Sequence, residues 1–131
     1  MTPDEALALA ERVVRLCAGD ADVRVREASE DLLRIANNQA IAHVSAAPVT
    51  IELGLRLDGR YGQASTQSAA PDDLAALVER AKAQAKLLPP EPDLLPSVGP
   101  QDLPAPAPAP AAVMAFDAAA RAAAGEAMVA P

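Results

Sequence analysis

Nine residues, Val49–Leu57, constrain this chain more than any others. Val49, Ile51, Leu53, Leu55 and Leu57 are apolar, and Thr50, Glu52, Gly54 and Arg56 fill the gaps. Strict alternation over this length predicts a strand with one buried face and one wet face. Asp58-Gly59 follows directly. That pair accepts the positive φ values of a type I′ turn, so Arg60–Ser65 is expected to return as the partner strand. Upstream, Asn37-Asn38 separates Leu32–Ala36 from Ala40–Ser45. Asparagine tolerates the left-handed conformation, so a second tight turn is expected there. The stretch Asp31–Ser65 therefore reads as two consecutive hairpins with a break at Pro48.

The flanks read as cover for this sheet. Thr2-Pro3-Asp4-Glu5 is a helix start, with Thr2 and Glu5 forming a capping box and Pro3 at the first helical position. Ala6, Leu9, Ala10, Val13, Val14 and Cys17 recur at helical spacing, and Gly19 is expected to end the helix. Asp22–Ala28 alternates Val23 and Val25 with Arg24 and Arg26 and predicts a first strand. A second helix is expected over Pro71–Leu88. Asp72 and Asp73 open it, Lys82 and Lys86 lie toward its end, and Leu74, Leu77, Val78, Ala81, Ala85 and Leu88 form one face. The order helix, strands, helix predicts an α+β domain: an antiparallel sheet of two hairpins plus a first strand, with both helices on one face.

Nine prolines fall between Pro89 and Pro110, ending in the run PAPAPAP. Such a segment is extended and stiff. The domain is accordingly expected to span residues 1–88, and 89–131 to form a Pro/Ala-rich linker and tail. A helix start at Asp117 is followed mostly by Ala, so weak order is expected. Val113, Met114 and Phe116 are the residues with which this tail would dock, if it does.

Composition narrows the function. The net charge of −7 argues against nucleic-acid phosphates as the main partner. A single cysteine, Cys17, excludes an internal disulfide and suits a reducing compartment. There is no signal-peptide pattern and no membrane-length apolar run, so a cytoplasmic protein is expected. Cys17 lies on the apolar helix face and reads as a small buried hydrophobe. His43 is the only histidine, too few for a zinc site. Glu27, Glu30 and Asp31 read as a solvated loop. Arg60 and Tyr61 are expected to pair with Asp58 or Glu52 and to cover the sheet edge. No nucleophile elbow, phosphate loop, dinucleotide fingerprint or HExxH is present. On residues alone this is an α+β domain without a catalytic constellation.

Five segments occur in a suggestive order. They are R-x-A-N-N at Arg34–Asn38, D-G-R-x-G at Asp58–Gly62, A-S-T-x at Ala64–Gln67, L-x-x-L-V-E-R-A at Leu74–Ala81, and P-x-P-D at Pro90–Asp93. Together they resemble the N-terminal domain of the TldD/PmbA family, described as metallopeptidases and historically as modulators of DNA gyrase. The resemblance covers roughly Thr2–Pro96, and Arg34, Asn37, Asn38, Asp58, Gly59, Arg60 and Gly62 are its motif residues. It implies an α+β module followed by a β-rich domain, whose zinc is held by an H-E-x-x-x-H helix and a later cysteine. None of those ligands exists here, and His43 and Cys17 do not match them. The implied reading is a non-catalytic front module, cut short before the metal site by a split or truncated gene or a fragmentary record. Its cofactor, zinc, would lie elsewhere. Its partner would be a protein, either the missing C-terminal domain or the second subunit of a family-type dimer. A free-standing acidic interaction module is the alternative, and a stand-alone enzyme is a third reading.

The turn supplies a test. Gly59→Val is expected to cost about 1–3 kcal/mol, because a β-branched residue resists positive φ. The loss would be read as a fall in melting temperature.

Overall fold

The computed structural model describes residues 1–99, 101, 102, 104, 107 and 110–129. The remaining positions of the proline repeat, and with them the expected stiff linker there, lie outside the described residues. The elements run α1 (Pro3–Leu16), β1 (Asp20–Glu27), β2 (Glu30–Ala36), β3 (Gln39–Ala46), β4 (Val49–Leu57), β5 (Arg60–Thr66), α2 (Pro71–Leu87), α3 (Ala111–Met114) and α4 (Ala118–Val129). The fold is α+β, with every strand pair antiparallel. The five strands divide between two sheets, β1-β4-β5 and β2-β3. They belong to two compact units, Met1–Ala28 with Pro48–Pro100, and Ser29–Ala47 with Gln101–Pro131.

In the first unit β4 is the central strand. Its alternation works as expected, with Ile51, Leu53 and Leu55 all buried. They pack with Val13 of α1 and Leu74, Leu77, Val78 and Ala81 of α2, so both helices cover the same face of this sheet. Leu9, Cys17, Val23, Val25 and Ala64 complete the contact from their half-buried positions. Leu88, expected on the buried face of α2, is instead 42% exposed and lies just past the helix.

The local signals explain the ends of the elements. The Thr2 hydroxyl accepts from the Glu5 N–H at 3.2 Å, and the Glu5 carboxylate accepts from the Thr2 N–H at 2.7 Å. This is the expected capping box. Helix α1 stops at Leu16 with Cys17 as its C-cap, two residues before the expected Gly19. Asn37 (φ 51°), Asn38 (φ 56°), Asp58 (φ 51°) and Gly59 (φ 70°) all lie in the left-handed region. Both hairpins therefore close on two-residue turns, flanked by Ala36 opposite Gln39 and by Leu57 opposite Arg60.

The division into two sheets follows from what β1 pairs with. It takes β4 as its partner, from Asp20 opposite Arg56 to Glu27 opposite Val49. The Ala28 N–H then donates to the Pro48 carbonyl at 3.2 Å. The chain leaves the three-stranded sheet at Ala28 and rejoins it at Pro48, and the β2–β3 hairpin is the excursion between.

Helix α2 also protects the outer edge of β5. The Gln63 N–H donates to the Gln84 side-chain oxygen, and Arg80 Nη2 donates to the Ser65 carbonyl at 3.0 Å. These bonds satisfy groups that an edge strand would otherwise leave open.

In the second unit β2 presents Leu33 and Ile35 to α4, where Gly125 lets the helix come close. The Asp117 carboxylate caps α4 by accepting from the Ala120 N–H at 2.9 Å. Arg121 binds Asp31 at 3.2 Å and donates to the Phe116 carbonyl at 2.8 Å. Val113 and Phe116, the expected docking residues of the tail, are 68% and 49% exposed.

Gly62 sets the helix–sheet spacing of the first unit. A methyl group there would collide with the Ala81 carbonyl and stand 2.7 Å from the Ala85 nitrogen. Both are backbone atoms of α2 that cannot move aside. Gly62→Val is expected to lower stability by about 1–3 kcal/mol, measured by chemical denaturation.

Candidate functional site

The register of the three-stranded sheet assembles its outer face from separate stretches of sequence. Asp20, Arg56 and Tyr61 share one row, Asp22, Gly54 and Gln63 the next, and Arg24, Glu52 and Ser65 the third. Asp22, Arg24, Glu52, Gly54, Tyr61, Gln63 and Ser65 line a shallow polar basin of about 610 Å³, and Asp20 and Arg56 lie beyond its end. Its floor is low at Gly54, where the Tyr61 side chain lies across the space that a Cβ would fill. A large aromatic over a strand glycine restores the cross-strand packing that glycine lacks.

Arg56 is the hub. It sits on the wet face of the central strand, yet its side chain is only 22% exposed. Nη1 donates to Asp22 at 2.8 Å and to the Ser97 hydroxyl at 2.9 Å, and Nε donates to the Leu95 carbonyl at 2.9 Å. Its guanidinium stands 4.9 Å from the centre of the Tyr61 ring, a cation–π distance. The Tyr61 hydroxyl donates to both oxygens of Asp22 at 3.2 Å. Asp20 accepts from the Ser97 N–H at 2.9 Å. Hydrogen bonding to the Ser97 side chain first and to its backbone second, helped by the nearby charge of Arg56, lowers the Asp20 carboxyl below the usual value.

These contacts bind a segment beyond α2 to the ends of the strands. The Glu91 N–H donates to the Gly59 carbonyl at 2.7 Å, so the bonded segment begins at the hairpin turn. Arg60 donates from Nε to the Leu88 carbonyl at 2.9 Å and from Nη1 to the Asp58 carbonyl at 3.4 Å. It thus ties the end of α2 to the turn. The expected pairing of Arg60 with the Asp58 or Glu52 carboxylate is not what forms: Arg60 takes main-chain carbonyls, and Glu52 faces Arg24 at 3.5 Å. Tyr61 reaches Asp22 instead.

The motif residues thus fall in two places. Asp58, Gly59, Arg60 and Gly62 lie together in the first unit, forming the turn, its tie to α2 and the seat of that helix. Arg34, Asn37 and Asn38 lie on the β2–β3 hairpin of the second unit, where the asparagines form the turn. Arg34 sits at a bulge: it pairs with Ala42 while Ile35 pairs with Ala40, leaving Ile41 as the extra residue. The hub residues Asp20, Asp22, Arg56, Tyr61 and Ser97 were not singled out as a group by the sequence. The only signal for them was the polar half of the β4 alternation.

Chemically the basin is a polar surface with paired charges. Asp22 is paired with Arg56, and among the described residues no nucleophile–base pair converges on the basin. Among the described residues, no group of three His, Cys, Asp or Glu side chains is placed to hold a metal. His43 lies on β3, exposed. Cys17 is half-buried, with Sγ 3.4 Å from the Val13 carbonyl, and burial pushes its thiol up. That is the behaviour of a packed, unreactive thiol. Among the described residues, no helix is long and apolar enough to cross a membrane.

Comparison with known proteins gives a likeness at the level of structure. No family model matches the chain, and no curated protein matches it. The fold is similar to the crystal structure of TldE from Thermococcus kodakarensis, with a TM-score of 0.59 and 18% identity. The likeness covers 76% of this chain and 23% of that one, so the chain spans about a quarter of that protein's length. The fold agrees with the TldD/PmbA resemblance carried by the sequence motifs.

The Asp20–Arg56–Ser97 contact supplies a test. Asp20 ionises more readily in the folded chain, so its contribution is present above the unfolded carboxyl value and is lost as pH falls through the lower folded value. Acid below about pH 3.9 is expected to release the Leu95–Ser97 segment, read as loss of protection of the Ser97 amide from hydrogen exchange. Arg56→Ala is expected to loosen the same segment at neutral pH.

Proposed function

We propose that this chain is the N-terminal, non-catalytic module of a TldD/PmbA-type zinc metallopeptidase. In such an assembly the hydrolysis of peptides or unfolded segments takes place on a separate β-rich domain. The observation that carries this reading is the likeness to TldE, which falls on a module of that protein and not on its whole length. The motif order supports it, because D-G-R-x-G and the α2 segment serve one shared purpose, the docking of α2 on β5. Zinc would be held by the H-E-x-x-x-H domain, where it would activate a water for attack on the scissile carbonyl. This chain would supply contacts to that domain or to a partner subunit, in the cytoplasm and without nucleic acid or membrane. The tie from Arg60 to Leu88 and from Gly59 to Glu91 would fix where the chain leaves the module toward its neighbour.

A second reading is a free-standing acidic module that binds another protein. The net charge of −7 and the open polar sheet face favour it. The coding sequence just downstream separates the two. An HExxxH motif with a β-rich domain, in frame or after a shift, is expected under the first reading and its absence favours the second.

The purified chain is expected to carry no zinc after dialysis and to cleave no peptide. Stoichiometric zinc that survives dialysis, measured by elemental analysis, would overturn the non-catalytic assignment.

A further inference from the structure

Helix α4 covers the face of β2 that carries Leu33 and Ile35, but it covers it thinly. Gly125 is the one buried residue of α4. Leu33 and Ile35 stay half-buried beneath the helix. The bulkier residues of the tail turn elsewhere, with Phe116 49% and Met128 81% exposed. A cavity of about 230 Å³ remains between helix and hairpin. Leu33, Ile35 and Ala40 wall it on one side, and Ala122, Gly125 and Val129 on the other. Small side chains on α4 leave that space unfilled, and the atoms around it forfeit the contacts that a filled core would give.

What fastens the helix is one arginine. The Arg121 side chain is 17% exposed, and its Nη2 lies 3.2 Å from Asp31 of β2. Its Nη1 donates to the Phe116 carbonyl, a bond that stays within the tail. Among the described residues, Asp31 is the one hairpin group that binds α4 by charge or hydrogen bond. The Arg121 Nε is buried and has no partner among the described residues. A guanidinium taken out of water with one donor unsatisfied recovers little net stability from its ion pair. Neither the apolar nor the polar part of this contact is strong.

We infer that α4 is a detachable cover on β2, latched by the Arg121–Asp31 pair, and that it opens while the three-stranded unit stays folded. The core of that unit contains no residue of β2, β3 or α4, so opening the cover removes nothing from it. Elements with few buried apolar contacts open locally, at a small fraction of the cost of global unfolding. Asp31, Leu33 and Ile35 alternate along β2 and so share the face that α4 covers. With the helix off, this face presents two bare aliphatic side chains beside a carboxylate that has lost its cation. Its occupant in the closed state is α4 itself. Any other segment that used the face would have to displace α4, and the unfilled cavity marks where the natural cover fits least well.

Amide exchange of the full chain tests this. The amides of α4 are expected to be protected, yet to exchange far faster than those of β4. Arg121→Gln keeps a good helix former and removes the charge. It should speed α4 exchange by roughly tenfold and raise the binding of anilinonaphthalene sulfonate, a dye for bare apolar surface, with β4 unchanged. Asp31→Asn should act alike, and the double variant should do no more than either change alone, because both break one contact. Ala122→Leu puts a larger side chain into the cavity and should slow α4 exchange by roughly tenfold. Ala123→Leu, at an exposed position outside that cavity, should not. The β4 amides in the same samples report whether each variant has folded, and the stabilising Ala122→Leu decides even where the charge variants fail. Exchange of α4 and β4 at one common rate would overturn the inference. So would an α4 without protection in the natural sequence, or α4 exchange that neither Arg121→Gln nor Ala122→Leu moves.

Discussion

The first unit depends on one close approach. Helix α2 lies on the three-stranded sheet with its backbone against Gly62, and Ala81 and Ala85 are the residues facing that glycine. Small residues on both sides bring the axis of the helix near the strands. The larger side chains of the same helix, Leu74, Leu77 and Val78, can then reach Ile51, Leu53 and Leu55 on β4. Burial of those branched side chains is the main favourable contribution, at about 25 cal/mol per Å² of apolar surface. The chain has no Trp and one Phe, which is exposed, so the core is aliphatic and tolerates little separation between layers. The polar bonds from Gln84 and Arg80 to β5 can form only at this short spacing.

The fold was legible where a local rule was strong. The alternation in Val49–Leu57, the capping box at Thr2 and the two left-handed turns act through neighbours in sequence, and each appears where the residues place it. What could not be read was the partner of β1. Hairpins bring consecutive strands together, and sequence order therefore suggested one continuous sheet. The structure pairs Val23 with Leu53 and Val25 with Ile51, which places those valines among the core residues. Nothing local distinguishes that choice from pairing with β2. The polar site was hidden for the same reason. Asp20, Arg56, Tyr61 and Ser97 are meaningful only once the register is known, because their bonds span up to 77 residues of chain.

The motif residues show how a sequence likeness divides between fold and function. Asp58, Gly59, Arg60 and Gly62 lie in one short run of sequence, yet each has its own geometric task. Two hold the turn, one anchors the end of α2, and one gives the helix room. None touches a reactive group. A run of this kind marks an architecture and leaves the chemistry to other residues.

The hydrogen bond from Ala28 to Pro48 closes the three-stranded sheet across the base of the β2–β3 hairpin. Topologically the hairpin is then a side branch: the ladder between β1 and β4 zips past its base whatever its length. The entropy of closing such a branch grows only with the logarithm of its length, about 0.6 kcal/mol per doubling. This part of the chain is therefore free to lengthen, shorten or be replaced during evolution while the helix-covered core stays as it is. A new binding specificity could be acquired there without re-solving the packing problem that Gly62 and α2 have already solved.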